Sequence, residues 1–202
     1  MRNYIFITIA TLVILFSSCD SEPQMDRTIF IPDETDASLP AYTEWGYNSF
    51  GAVYDVRSYF VVSNYIVPCK ILYKDGLLRF SLSGILKGNH YSGSERITLS
   101  FNFPLDKPMQ YTDLLVLNDI KLDLASDGCV VNIIRGENEQ TLKVVDGILH
   151  FKRAQLLNID DDPNRIILSG TFELRFLEND FPTSISDGRF DVGINKNVFY
   201  AY

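Results

Sequence analysis

From Arg96 to Phe103 the chain alternates: Ile97, Leu99, Phe101 and Phe103 share one side of an extended backbone, and Arg96, Thr98, Ser100 and Asn102 share the other. Leu78, Phe80 and Leu82 alternate in the same way with Arg79, Ser81 and Ser83, and Ile120, Leu122 and Leu124 with Lys121 and Asp123. A longer run sets Ile166, Leu168, Phe172, Leu174 and Phe176 against Arg165, Ser169, Thr171, Glu173 and Arg175, with a bend expected at Gly170. Shorter matches cover 130–134, 142–145, 148–153, 190–194 and 198–202. One apolar and one polar face per strand marks antiparallel sheets wetted on one side.

Turn residues punctuate these runs. Lys74-Asp75-Gly76 and Asp146-Gly147 each stand between two apolar runs and predict hairpins. Gly88 to Gly93, Asp127-Gly128, Gly136 to Glu139, Asp161 to Asn164 and Asp187-Gly188 predict further turns. One short helix is expected, with Thr112 capping Asp113 to Asn118. No repeat of fixed period appears. The pattern predicts an all-β fold over residues 45–202, an antiparallel β-sandwich of roughly ten strands or, alternatively, a closed or partly open β-barrel.

The N-terminus is of another kind. A basic start at Met1-Arg2 leads into an apolar run from Ile5 to Phe16, too short to span a membrane as a helix and suited to a secretory signal. It ends at Phe16-Ser17-Ser18-Cys19, which resembles the lipobox of bacterial lipoproteins, with Phe16 where an aliphatic residue is usual. That resemblance implies a signal peptide over 1–18 and a mature N-terminus at Cys19 carrying acyl chains such as palmitate, with a cleaved, unlipidated periplasmic protein as the alternative. Several chains would hold a domain stably on a bilayer, where one binds marginally. Residues 19–44 then read as the lipidated cysteine and a polar tether, with Thr28 to Ile31 positioned to pair onto the domain. Asp20 and Glu22, just after Cys19, resemble the surface-export signal of Bacteroidota lipoproteins; the alternative is that they only keep a linker soluble. In other lineages an aspartate there resembles an inner-membrane retention signal. The expected location is the outer membrane at the cell surface, or alternatively its periplasmic face.

A second resemblance lies in the domain. Glu44-Trp45-Gly46-Tyr47-Asn48-Ser49-Phe50-Gly51 opens it, and Ser169-Gly170-Thr171-Phe172-Glu173-Leu174 with Asp187-Gly188-Arg189-Phe190-Asp191 closes it. Together these resemble an uncharacterised Bacteroidota lipoprotein family that opens on E-x-G-x-N-[ST]-F-G and ends on S-G-T-F-x-F and D-G-R-F-D. Asp55-Val56-Arg57 stands where such relatives tend to carry an Asn-Gly turn, and residues 85–140 lie outside the likeness. The likeness implies a lipid-anchored envelope protein of β architecture, and it brings no activity and no catalytic residues. Physically, Gly51 and Gly170 inside strand patterns predict bulges or close backbone approach, and Gly188 predicts a positive-φ turn. Arg189 and Asp191, opposite Phe190, are expected to pair across strands with Glu173 or Arg175.

Composition narrows the function classes. The net charge of −8, becoming −9 once Arg2 is removed, argues against a nucleic-acid partner, which would need a clustered basic face. Cys69 and Cys129 are either a disulfide in an oxidising compartment or two separate buried thiols. The two histidines, His90 and His150, read as solvated surface residues, and no nucleophile elbow or phosphate loop is present. Asp160-Asp161-Asp162 reads as a hairpin tip and lacks the spacing of a calcium loop, so no metal and no cofactor is expected. These features predict a non-catalytic binding or adhesion module. Its candidate surface is Trp45, Tyr47, Tyr54, Tyr59, Tyr65 and Tyr91, and its ligand an unidentified protein or glycan. The alternatives are a structural or assembly subunit of an envelope complex and, more remotely, a carboxylate-based glycan hydrolase.

Overall fold

Tight turns fix the strand order. At Asp75-Gly76 both residues take positive φ, 51° and 81°, the backbone that joins antiparallel strands without splaying them. Asn179-Asp180 does the same at 51° and 67°, and Asp55 closes the first hairpin at 57° without a glycine. The computed structural model describes residues 27–60, 68–88, 93–105, 107, 109–159 and 162–202. Its elements are β1 (Ser49–Tyr54), β2 (Arg57–Phe60), β3 (Cys69–Lys74), β4 (Leu77–Leu86) and β5 (Glu95–Pro104), then a 3-10 helix (Tyr111–Leu117). There follow β6 (Ile120–Asp123), β7 (Val130–Arg135), β8 (Asn138–Thr141), β9 (Lys143–Ile159), β10 (Asp162–Glu178), β11 (Phe181–Ile194) and β12 (Phe199–Ala201).

All twelve strands belong to one sheet, in the order β6-β9-β10-β11-β1-β2-β4-β5-β7-β8, with β3 on β4 beside β2 and β12 added to β3 in parallel. The sheet curls into a half-barrel, so the partly open barrel is the member of the predicted pair that the chain adopts. Curling is helped by a bent strand. β8 pairs with β7 and runs through buried Leu142 directly into β9, which pairs with β10. Val144 N–H donates back to Leu142 O at 3.1 Å across the kink.

The predicted alternation is the core pattern: Ile97, Leu99, Phe101, Phe103, Leu78, Phe80, Leu82, Ile166, Leu168, Phe172, Leu174 and Phe176 are all buried. Rings join the two halves of the curl. Phe80 of β4 lies 5.1 Å from Phe151 of β9 and 5.0 Å from Phe190 of β11, and Phe101 lies 5.5 Å from Phe172.

Two predicted turns are not turns. Asp146-Gly147 lies inside β9 and Asp187-Gly188 inside β11. Their glycines answer close approach instead: a Cβ on Gly147 would meet Glu173 O at 2.7 Å, and one on Gly188 would meet Phe172 O at 2.3 Å. The positive φ belongs to Asp187, at 53°, where the β10–β11 register shifts in a bulge. Gly170 behaves as expected, with His150 O 2.1 Å from where its Cβ would stand, beside a register shift with β9. The helix starts one residue before the predicted cap: the Asp113 carboxylate accepts the Gln110 N–H at 2.8 Å, and Thr112 does not cap. Tyr111 enters the core, donating its hydroxyl to Ile194 O at 2.6 Å and accepting from Ile166 N at 3.0 Å.

Cys69 and Cys129 are free thiols, so the disulfide reading is set aside. Cys69 faces Leu82, Leu82 faces Leu99 and Leu99 faces Ile133, which places Cys129 three strands across and four residues along. That path is on the order of 20 Å, against about 7 Å or less between the Cα atoms of a bridge. Complete burial pushes the Cys69 thiol up, leaving it protonated and unreactive.

At one end the halves are tied by polar groups. Arg135 of β7 donates to Glu178 of β10 at 2.7 Å, and the Tyr54 hydroxyl donates to the other Glu178 oxygen at 2.7 Å. Burial opposes ionisation of Glu178, but the Tyr54 and Arg135 hydrogen bonds outweigh it and hold its pKa below the usual 4.5. A depressed carboxylate stabilises the fold above its unfolded pKa and loses that contribution as pH falls through the folded value. The stability difference between the protein and Glu178→Gln, measured by urea unfolding, is therefore expected to be full at pH 6 and to narrow steadily below about pH 4.5.

Candidate functional site

Alternation along β11 turns Phe190 inward and Asp191 outward, yet Asp191 is only 1% exposed. The opening motif covers it. One carboxylate oxygen accepts the Gly46 N–H at 2.7 Å and the Ser169 hydroxyl at 3.3 Å. The other accepts Trp45 N–H at 3.1 Å, Tyr47 N–H at 3.3 Å and the Thr43 hydroxyl. Gly46 and Asn48, at φ 74° and 52°, supply the left-handed backbone that wraps the loop round this carboxylate. Asn48, itself buried, accepts Gly193 N–H at 2.9 Å. Arg189 and Asp191 thus do not pair with Glu173 or Arg175. Arg189 reaches Asp33 at 2.6 Å, Arg175 pairs with Asp146, and Asp191 is satisfied by backbone N–H groups and hydroxyls.

Residues 27–44 are a docked strap where a tether is expected. Ile29 N–H donates to Tyr47 O at 2.8 Å and Ala41 N–H to Ile31 O at 2.7 Å, so the predicted pairing near Thr28 to Ile31 is present. Leu39 is 1% exposed, and Pro40 lies so close over β1 that a Cβ on Gly51 would stand 2.4 Å from its Cδ. Hydrogen bonds from Thr35, then from the Asp36 amide, with the Arg189 charge, hold the Asp33 carboxyl down to about 2. Residues 1–26, including Cys19, Asp20 and Glu22, lie outside the described residues.

Beside the strap, register assembles a polar row. Lys121 of β6 pairs with His150 of β9, His150 with Thr171 of β10, Thr171 with Arg189 of β11, and Arg189 with Gly51 of β1. Neighbours in such a row stand about 5 Å apart. Lys121, His150, Thr171 and Arg189, with Tyr42, Ile148, Lys152, Glu173 and Asp187, line an open groove of about 490 Å³ on the outer face. The β9 register shift leaves Lys152 and Arg153 consecutively outward and brings Lys152 Nζ to 4.8 Å from the centre of the Tyr42 ring. His150 is not the freely solvated residue expected: its side chain is 17% exposed and its Nε2 lies 2.9 Å from Asp119 Oδ1. Among the described residues its other ring nitrogen has no protein partner, and Lys121 and Lys152 make no ion pair.

The aromatic surface is corrected by the structure. Tyr54 and Tyr59 are core residues, placed inward by the same period that buries Phe50 and Ala52. The Tyr54 hydroxyl binds Glu178, and the Tyr59 hydroxyl donates to Leu82 O at 2.7 Å. Trp45 stands out at the surface, Tyr47 is half-buried, and Tyr65, Tyr91 and His90 lie outside the described residues, as do Asp160 and Asp161. The groove residues were missed because each is an ordinary outward position on its own strand. The signal that could have found them is the shared register of Lys121, His150, Thr171 and Arg189. Comparison with protein-family models, curated proteins and solved structures gave no match.

Removing the Asp191 carboxylate leaves three part-buried backbone N–H groups without this acceptor. Asp191→Ala is expected to lose about 3 kcal/mol or more in urea unfolding, and Asp191→Asn, which keeps one accepting oxygen, a smaller amount.

Proposed function

We propose that the protein is a lipid-anchored cell-envelope lipoprotein of the outer membrane that acts as a non-catalytic binding module, taking a glycan chain in the groove over β6, β9, β10 and β11. The observation that carries the reading is the groove itself: ammonium groups that make no ion pair among the described residues, a hydroxyl, two carboxylates and a positioned imidazole converge beside the Tyr42 ring on the outer face of the sheet. Its volume falls within the range of small-ligand sites, and its lining suits a ligand with many hydroxyls and fixed charges. Hydrolysis fits less well. Glu173 and Asp187 are both exposed, whereas a general acid held protonated near neutrality is shielded from water.

Anchoring rests on Cys19 and its preceding segment, and the short acidic stretch after it supports surface display. Among the described residues no helix is long and apolar enough to cross a membrane. The assembly reading draws little from the sheet edges. β6 and β8 are four residues each, β8 is exposed and polar throughout, and such edges discourage strand addition.

Metabolic labelling with palmitate is expected to mark the protein and to fail on Cys19→Ala; an unlabelled parent refutes anchoring. In a glycan-array screen followed by titration calorimetry, Lys152→Ala and His150→Ala are each expected to weaken binding about tenfold with the melting temperature unchanged. Glycan binding that both variants leave intact, or no binding across the array, refutes the groove.

A further inference from the structure

The strap carries an apolar strip on its outer side. Ile29, Phe30 and Ile31 are 48%, 40% and 42% exposed, and Trp45 is 68% exposed. Their backbones are held close together: Ile29 is hydrogen-bonded to Tyr47 and Ile31 to Ala41, while the Trp45 N–H is fixed by Asp191. Residues 29–31 lie outside the strands and expose three apolar side chains in succession, and a tryptophan on a fixed loop beside them enlarges the patch.

We infer that this strip is a bilayer-contact surface, seated among the lipid headgroups with Trp45 inserted at the interface. The inference rests on the anchoring of Cys19. Only seven residues, Asp20 to Asp26, separate Cys19 from Arg27 at the start of the strap. However they are arranged, they reach at most about 29 Å, so acyl chains on Cys19 confine the strip to within that distance of the membrane surface. Tethering of that kind makes docking intramolecular, and a patch too small to bind vesicles alone suffices. The chemistry fits the place. Indole rings favour the boundary between headgroups and acyl chains, and aliphatic side chains gain by leaving water there. Arg27, also exposed, adds a cation where the strip meets the tether. Docked in this way, the domain would hold its groove beside the membrane, because Asp33 of the same strap is bound to Arg189 in the groove wall.

Trp45 is the sole tryptophan, so its emission reports this strip alone. The full-length mature lipidated protein would be reconstituted into phosphatidylethanolamine–phosphatidylglycerol vesicles, with and without brominated acyl chains. The expected result is a blue-shifted emission that brominated lipid quenches at least about twofold and that aqueous acrylamide quenches poorly. A double variant, Ile29→Ser with Phe30→Ser, keeps the tryptophan and is expected to lose most of the lipid quenching. Its melting temperature is measured alongside, and the unsubstituted protein alone decides the matter if that variant unfolds. Protein that bears the acyl group by mass spectrometry and floats with the vesicles, but whose Trp45 is unquenched by lipid and open to acrylamide, overturns the strip and leaves the anchor standing. Protein with no acyl group on Cys19 that stays out of the vesicle fraction overturns the anchor and the inference with it.

Discussion

One carboxylate organises the surface of this protein. Asp191 sits mid-strand on β11 and collects three backbone N–H groups from residues 45–47, so a stretch of loop is shaped by an acceptor it meets nowhere else. A buried carboxylate without partners would be a heavy liability. Surrounded by donors, it becomes the peg on which the strap hangs. From that peg follow the outward stance of Trp45, the course of the strap over Gly51, and the place of Asp33 on Arg189. Tyr42, one residue before the Thr43 hydroxyl that Asp191 holds, forms a wall of the groove as a result.

The two motifs that frame the domain in sequence therefore meet in space. Gly46 and Asn48 provide left-handed backbone, and Asp191 provides the acceptor. Neither half has a visible purpose alone. This gives the residues of turn and core type at both ends of the domain a structural role.

Alternation made the strands legible, because a sheet with an apolar inner face imposes a period of two on its strands, and Ile97, Leu99, Phe101 and Phe103 all turn into the core. The same period places Tyr54 inside, two residues beyond Ala52 and four beyond Phe50. Asp146-Gly147 and Asp187-Gly188 misled because a dipeptide that favours turns is also what a strand needs where a neighbouring carbonyl comes close. Sequence shows the glycine and not the neighbour. The groove was illegible for a related reason: Lys121, His150, Thr171 and Arg189 come from four strands whose register depends on bulges at Lys152 and near Asp187.

The pairing of β1 with β11 also sets a schedule. Ser49 lies opposite Asp191, so the first strand of the domain finds one of its neighbours only near the end of the chain. Until β11 emerges, Phe50 and Ala52 lack that side of their enclosure, and the loop at residues 43–47 has no carboxylate to fold around. Contacts so distant in sequence form late and slowly. A chain delivered from its N-terminus would stay open through most of its passage and lock only when the last long strand arrives. Under the export proposed above, such lateness would keep the chain threadable until its passage is complete.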